Sequence, residues 1–427
     1  MSALIIFSIL LALMLTGMPI SISLGLTVMT FLFTMTHVPL QSIALKLFSG
    51  IEKFEIMAIP FFILAGNFLT HGGVARRIIN FATSMVGHFY GGLALSGVVA
   101  CALFAAVSGS SPATVVAIGS ILLPGMVRAG FPMRFGAGVV ATSGALGILI
   151  PPSIVMVMYA IATNASIGAL FMAGVIPGLI MATMLGGITW YRAKKFNYPR
   201  QPKASWRERL RTFRESAWGL MLIIVVMGGI YTGIFTPTEA AAMSAVYAFF
   251  VSVFVYKDMT LKEVPKVLLS SANMSAMLLY IITNAVMFSF ILANENIPMQ
   301  LTGWMLDKGF GPIAFLLAVN FVLLMAGNFM EPSSIMLIFA PIVFPVAMKL
   351  GIDPIHLGVL MVVNMEVGMC HPPVGLNLYV ASGLTKLGIT ELTIAVWPWL
   401  LTMLVFLVMV TYIPIISTWL PTVLGMM

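Results

Sequence analysis

Four short stretches of this 427-residue chain combine glycine, serine and proline inside strongly apolar surroundings. They are Ser108-Gly109-Ser110-Ser111-Pro112; Gly144-Ala145-Leu146-Gly147 running to Pro151-Pro152-Ser153; Asn328-Phe329-Met330-Glu331-Pro332-Ser333-Ser334; and Gly368 running to His371-Pro372-Pro373 and Asn377. In hydrocarbon every unpaired backbone N–H or C=O is costly, so irregular backbone survives there only when buried in protein or lining a polar cavity. A helix broken at such a point exposes carbonyls at the end of its first half and amide donors at the start of its second. Carbonyls suit a small hard cation, and amides with positive helix ends suit a carboxylate. One hairpin tip paired with one broken helix in each half of the chain would place two cation sites beside one anion site.

The composition says where these stretches lie. Hydrophobic residues make up 60% of the chain and charged ones 8%, against about a quarter charged in globular proteins. At about 20 residues per crossing the apolar content caps the chain at roughly twelve or thirteen spanning helices. Segments such as 170–190 and 401–413 are apolar on every face, which excludes a membrane barrel. A soluble enzyme, a nucleic-acid module and a disulfide scaffold are excluded too, since Cys101 and Cys370 are the only cysteines and both have apolar neighbours. The formal charge of +8 does not call for nucleic acid, because nine basic and two acidic residues fall between Tyr191 and Ser216. That segment reads as a basic, solvated cytoplasmic loop beside the membrane lipid, in preference to a specific anionic-lipid site. No basic start or cleavage site marks a signal peptide.

Punctuation by Gly, Pro and charge divides the chain into N-terminal membrane helices with an interfacial arm (1–57), a first repeat (58–190), the basic loop (191–216), linking scaffold helices (217–266) and a second repeat (267–427). The two repeats overlay. Pro112 to Pro151 is 39 positions and Pro332 to Pro372 is 40; Pro152 to Pro177 and Pro373 to Pro398 are both 25. Clusters near 108–112 and 327–334 each lie between arms of about ten apolar residues, which suggests re-entrant hairpins; those near 144–153 and 366–377 lie within spanning segments and break them. An odd number of crossings per repeat would make the copies inverted. The fold expected is an all-α polytopic membrane protein with two re-entrant hairpins and two broken helices.

Among the carboxylates, Glu239 in Thr236-Pro237-Thr238-Glu239 reads as a capping box and Asp353 before Pro354 as a cap. Glu331 and Glu366 lie within the membrane clusters, either able to orient a cation. His371 has no second His, Cys or carboxylate at metal-ligand spacing, so no transition-metal site is expected there. Trp190, Trp206, Trp397 and Trp399 suit an interfacial belt.

The ordered motifs Ser-Gly-Ser-Ser-Pro-Ala-Thr, Gly-Ile-Leu-Ile-Pro-Pro-Ser, Gly-Ile-Phe-Thr-Pro-Thr-Glu-Ala, Glu-Pro-Ser-Ser and His-Pro-Pro-Val-Gly-Leu-Asn resemble the large membrane subunit of TRAP transporters over nearly the whole chain. The resemblance implies a sodium-coupled inner-membrane importer of organic acids and no enzyme. It implies an elevator motion, a small membrane (Q-type) subunit and a periplasmic substrate-binding protein. Carried over motif by motif, it puts sodium on Ser108, Ser110, Gly144, Gly147 and Pro151, and on Gly327, Met330, Glu331, Gly368, Cys370 and Pro372. It puts substrate on Ser111, Pro152, Ser153, Ser334, Pro373 and Asn377. No arginine lies in the clusters, which favours one carboxylate over two and points to sialic acid before a C4-dicarboxylate or sugar acid.

Two rivals make different demands. A stand-alone Na⁺- or H⁺-coupled anion carrier would need no soluble receptor. An intramembrane serine hydrolase would need Ser110 or Ser111 as nucleophile beside His371 as base.

Overall fold

A computed structural model describes residues 2–36, 38–328, 330–372 and 374–427, which contain helices and turns and no strand. The chain opens with α1 (Ser2–Leu15) and α2 (Ile20–Met35), separated at Gly17-Met18-Pro19, and α3 (Leu40–Ile51). Then come α4 (Ala58–His71), α5 (Val74–Val86), α6 (Gly92–Ser108), α7 (Ser111–Arg128), α8 (Met133–Ser143), α9 (Ile154–Thr163) and α10 (Ile167–Lys195). A middle section holds α11 (Trp206–Ile223), α12 (Gly229–Tyr231) and α13 (Pro237–Phe250), with π turns at Ile224–Gly228 and Val251–Val255. The last section holds α14 (Val264–Asn294), α15 (Ile297–Asp307), α16 (Pro312–Gly327), α17 (Pro332–Lys349), α18 (Pro354–Gly368), α19 (Leu376–Thr385), α20 (Ile389–Tyr412) and α21 (Ile415–Val423). Eight helices among the described residues are long and apolar enough to cross a membrane.

Contacts at the helix ends fix the direction of each element. Asp258, after α13, pairs with Arg76 and Arg77 of α5, and Ser84 of α5 meets Thr212 of α11 at 2.9 Å. Tyr198, beyond α10, packs on Phe131 and Phe135 around the α7–α8 turn, and Arg134 pairs with Glu391. These contacts gather one end of the molecule, and it is the basic end, cytoplasmic by its charge. At the other end the Tyr159 hydroxyl donates to the Pro354 carbonyl at 2.6 Å, Thr238 donates to the Phe54 carbonyl at 3.4 Å, and Met426 lies against Gly168.

Traced between these ends, α4 to α10 and α14 to α20 have one element order in opposite directions: a spanning helix, a short surface helix, two hairpin arms, two half-helices and a second spanning helix. The hairpin α6–α7 is open toward the cytoplasm, and α16–α17 toward the periplasm. The arms are 16 to 18 residues long, not the ten expected, because the apolar run continues through Pro124 in α7 and through Pro341 and Pro345 in α17.

Two further expectations are corrected. The segment 191–216 is mostly helical: α10 extends to Lys195 and α11 begins at Trp206, capped by Ser205. Its charge lies on two solvated helix ends, and only 196–205 is loop. Trp399 is fully buried; Gly138 admits its ring, since a Cβ there would lie 2.8 Å away, and its indole N–H donates to Thr189 at 2.8 Å. Close helix contact at a small residue is the usual device within membranes. The caps at Thr236–Glu239 and Asp353 form as the residue types require.

This topology predicts that a single cysteine replacing Gln201 reacts with a membrane-impermeant maleimide only after permeabilisation, and one replacing Lys308 reacts in intact spheroplasts. Both positions are exposed. Labelling of the Gln201 cysteine from outside would overturn the orientation.

Candidate functional site

The first hairpin tip is built by local hydrogen bonds. Ser108 ends α6 and its hydroxyl lies 2.8 Å from that of Thr114. Gly109 takes a left-handed φ of 60°, where a Cβ would come within 2.9 Å of the Pro152 carbonyl oxygen. Ser110 caps α7 from extended backbone and its carbonyl accepts from the Thr114 hydroxyl at 2.9 Å.

The break between α8 and α9 closes directly on this tip. Residues Gly144–Ile148 form a 3₁₀ turn, and Gly147 lies so close that a Cβ would be 2.5 Å from the Ser110 carbonyl oxygen. Pro151 and Pro152 are buried and joined by a cis peptide bond. Ser153 caps α9, accepting from the Met156 N–H at 3.4 Å and donating to the Ile148 carbonyl at 2.5 Å.

The second tip uses a carboxylate where the first uses a serine. Glu331 accepts from Ser333 at 2.6 Å and from Ser334 at 3.4 Å. Gly327 and Gly368 touch backbone to backbone, with a Cβ on either 3.0 Å from the other's Cα. Asn328 faces His371, its amide oxygen 3.0 Å from Nδ1. Met330 and Pro372 are half-buried beside this contact; Pro373 lies outside the described residues.

Asn377, at the start of α19, joins the two halves. Its amide nitrogen donates to the Ser111 hydroxyl at 2.8 Å and to the Ala141 carbonyl at 3.1 Å, and the Cys370 thiol donates to that same carbonyl at 3.4 Å. The first tip, the α8 end and the second break thus form one buried cluster. Ser153 and Ser334 bond within their own halves, with no hydrogen bond to Ser111 or Asn377 among the described residues.

Several buried polar groups here lack partners; of these the sequence pointed to Glu366 and Asn328 but not to Ser143 or Asn364. Ser143, one residue before Gly144, is fully buried with an unpartnered hydroxyl; so are both oxygens of Glu366, the Asn364 amide oxygen and the Asn328 amide nitrogen. Asn364 donates to Asn320 at 3.0 Å, and Asn320 to Thr411 at 2.8 Å. A lone buried carboxylate needs a counter-charge or a proton. Thr114 was legible from its spacing of four after Ser110; a contributing carbonyl such as Ala141 has no sequence signature. Oxygen-rich tips and breaks fit a hard cation, whereas among the described residues no three His, Cys, Asp or Glu side chains gather to hold a metal. His371 is engaged with Asn328 and Ser111 with Asn377, and among the described residues neither Ser110 nor Ser111 is hydrogen-bonded to His371, so the pairing required of a serine hydrolase is not formed. Two cavities of about 630 and 570 Å³ are apolar and lie around Phe7 and Phe339; the second reaches Met330 at the edge of the second tip, and neither is lined by the polar side chains of the clusters. They suit acyl chains rather than an anion.

Residues 7–416 match the family model described as the tripartite ATP-independent periplasmic transporter, DctM component. The chain belongs to this family. It is 74% identical, over the full length of both chains, to the C4-dicarboxylate TRAP transporter large permease protein of Rhodobacter capsulatus. It is 36% identical to the sialic acid TRAP transporter large permease protein of Vibrio cholerae, covering 96% of each. The fold is similar to the crystal structure of the Alcanivorax borkumensis YdaH transporter, with a TM-score of 0.62 at 15% identity over 90% of this chain and 88% of that one. The permease is therefore a multi-pass inner-membrane transport protein, not an enzyme, of a family that works with a small membrane subunit and a periplasmic binding protein.

The geometry separates fold from function by mutation. Asn377→Ala removes bonds to Ser111 and Ala141 and is expected to cost about 1–3 kcal/mol, lowering the thermal midpoint in detergent by several degrees. Ser110→Ala loses no hydroxyl hydrogen bond seen here and is expected to leave that midpoint unchanged. Equal melting of the two variants would contradict the cross-half role of Asn377.

Proposed function

We propose that the permease imports a four-carbon dicarboxylate with Na⁺, accepting it from a soluble periplasmic protein and carrying it by an elevator movement. The observation that carries the transport reading is the closure of each hairpin tip on a broken helix, from opposite ends of the molecule, with Asn377 tying the halves together. The substrate class departs from the sialic acid expectation. The relative named for C4-dicarboxylates is about twice as identical to this chain as the one named for sialic acid. The absence of arginine from the clusters was a weak guide, since amides, hydroxyls and helix ends also hold carboxylates.

In this reading Na⁺ is held by oxygens of Ser108, Ser110, Gly144, Gly147 and Pro151, with Ser143 added, and by Gly327, Met330, Glu331, Gly368, Cys370 and Pro372 in the second half. Ser111, Ser153, Ser334 and Asn377, with the starts of α9 and α19, take the carboxylates. The hairpins and half-helices move as one body because their breaks are sealed by each other. The α1–α4 and α11–α14 helices stay as the frame, with the small membrane subunit beside them.

The test is uptake of labelled succinate into proteoliposomes holding this chain and its small membrane partner, under an inward Na⁺ gradient. Uptake is expected to require both Na⁺ and the soluble receptor, and to fall at least about tenfold (about 1.4 kcal/mol) in Ser110→Ala. Uptake without the receptor would favour the stand-alone carrier. Sialic acid uptake in place of succinate would overturn the substrate class.

A further inference from the structure

The periplasmic end carries few cations. Seventeen of the 21 Lys and Arg residues lie at the cytoplasmic end, leaving Lys46, Lys53, Lys308 and Lys349 outside. Two of these four share a cavity. It is about 290 Å³ in volume and is bounded by Lys46, Ser49 and Lys53 of the α3 arm, Ser289 of α14, Ile161 of α9 and Pro341 of α17. Lys53 donates to the Ile161 carbonyl at 2.7 Å and to the Asn164 amide oxygen at 2.8 Å. The Lys46 ammonium lies 5.8 Å from the centre of the Phe290 ring. Neither lysine forms an ion pair among the described residues, although Glu52 and Glu55 are near in sequence.

We infer that this cavity is an outer station for a dicarboxylate anion, Lys53 taking one carboxylate and Lys46 the other, occupied before the anion reaches the site at the broken helices. The inference rests on the proposed substrate class. Two walls of the cavity are helices whose inner ends begin at the candidate site. Ile161 is eight residues outward from Ser153 and Pro341 seven from Ser334, roughly 10–12 Å along each helix at about 1.5 Å per residue. The frame supplies the ammonium groups and the hairpin body supplies the opposing wall, so the station lies where the two bodies meet. Its volume suits a four-carbon acid better than a sugar acid, being below the roughly 300 Å³ at which small-molecule sites usually begin. Burial lowers the Lys53 pKa, Glu55 opposes this, and Lys46 adds like-charge repulsion; an anion between the two ammonium groups relieves both penalties. The inner clusters contain no Lys or Arg, so this is the place on the periplasmic side where two carboxylates could meet two full charges.

The test reads occupancy directly and does not depend on transport. A cysteine replacing the exposed Ser49, in the complex of this chain with its small membrane subunit, is labelled with an impermeant maleimide. Succinate at about 10 mM is expected to slow labelling at least about fivefold, and butyrate, with one carboxylate, to slow it less than about twofold. Lys46→Gln and Lys53→Gln are expected each to abolish the protection. A cysteine replacing Ser289 provides a second reporter on the opposite wall. Labelling unaffected by succinate at both reporters would overturn the station, as would protection that persists in the Lys46→Gln, Lys53→Gln double variant. Equal protection by succinate and butyrate would overturn the two-carboxylate assignment. If succinate protects but is not taken up, the transport reading fails and the station stands.

Discussion

Backbone that leaves the helix inside a membrane must find partners in protein, and the permease meets this constraint with glycine. At the first break Gly147 brings the 3₁₀ turn against the Ser110 carbonyl, and Gly109 brings the tip against Pro152. At the second, Gly327 and Gly368 meet with nothing between them. A methyl group at any of these positions would push apart two closely packed backbone segments at a tip, a turn or a helix end and open a polar gap with no solvent to fill it. Each tip therefore exists because a break receives it. The hairpins and half-helices are consequently one cooperative body, and Asn377 makes that body continuous across the two halves.

The closure is incomplete where chemistry is expected. Buried polar groups are nearly always hydrogen-bonded, and each orphan costs about 1–3 kcal/mol. Here the unpartnered oxygens of Ser143, Asn364 and Glu366 and the unpartnered nitrogen of Asn328 lie in or beside the breaks and tips. Elsewhere in the described membrane helices many serines and threonines bond back to their own helix, as Thr27, Thr189 and Ser275 do. His88 Nδ1, Arg192 Nε and His356 Nε2 are also buried without partners away from the clusters, so unmet polarity is concentrated at the clusters but not confined to them, while apolar packing around Phe104, Phe171 and Trp399 carries stability.

Much of this was legible before the fold was seen, because the constraint acts on composition. The four clusters, the matched proline spacings and the Thr236–Glu239 box are local signals, and the structure places them at tips, breaks and a helix start. What failed was inference from residue class alone. Nine cations between 191 and 216 read as loop, yet arginine and lysine are good helix formers and most of that segment is helix. Trp399 read as interfacial because it falls near the end of an apolar segment, but it and Trp397 face opposite ways on one helix and only Trp397 is exposed. Ala141 could not have been found, since only its carbonyl is used. Lys53 was passed over as part of an interfacial arm, and its partners are more than a hundred residues away.

The charge pattern also bears on how a doubly charged cargo could cross. A dicarboxylate moved into a site without Lys or Arg carries two negative charges out of water, a step whose electrostatic cost is many kcal/mol unless counter-charges accompany it. Lysines on the frame cannot supply them, because a carboxylate held by Lys46 or Lys53 would stay with the frame while the hairpin body moved. Cations that travel with the cargo can. An inner site made of carbonyls, hydroxyls, the Glu331 carboxylate and helix ends suits such a division: its oxygens hold the mobile cations, its amides hold the carboxylates, and no fixed cation remains behind to bind the cargo at either end of the travel. In the proposed mechanism the scarcity of arginine in the clusters is then a requirement of the movement rather than a limit on how many carboxylates the cargo carries.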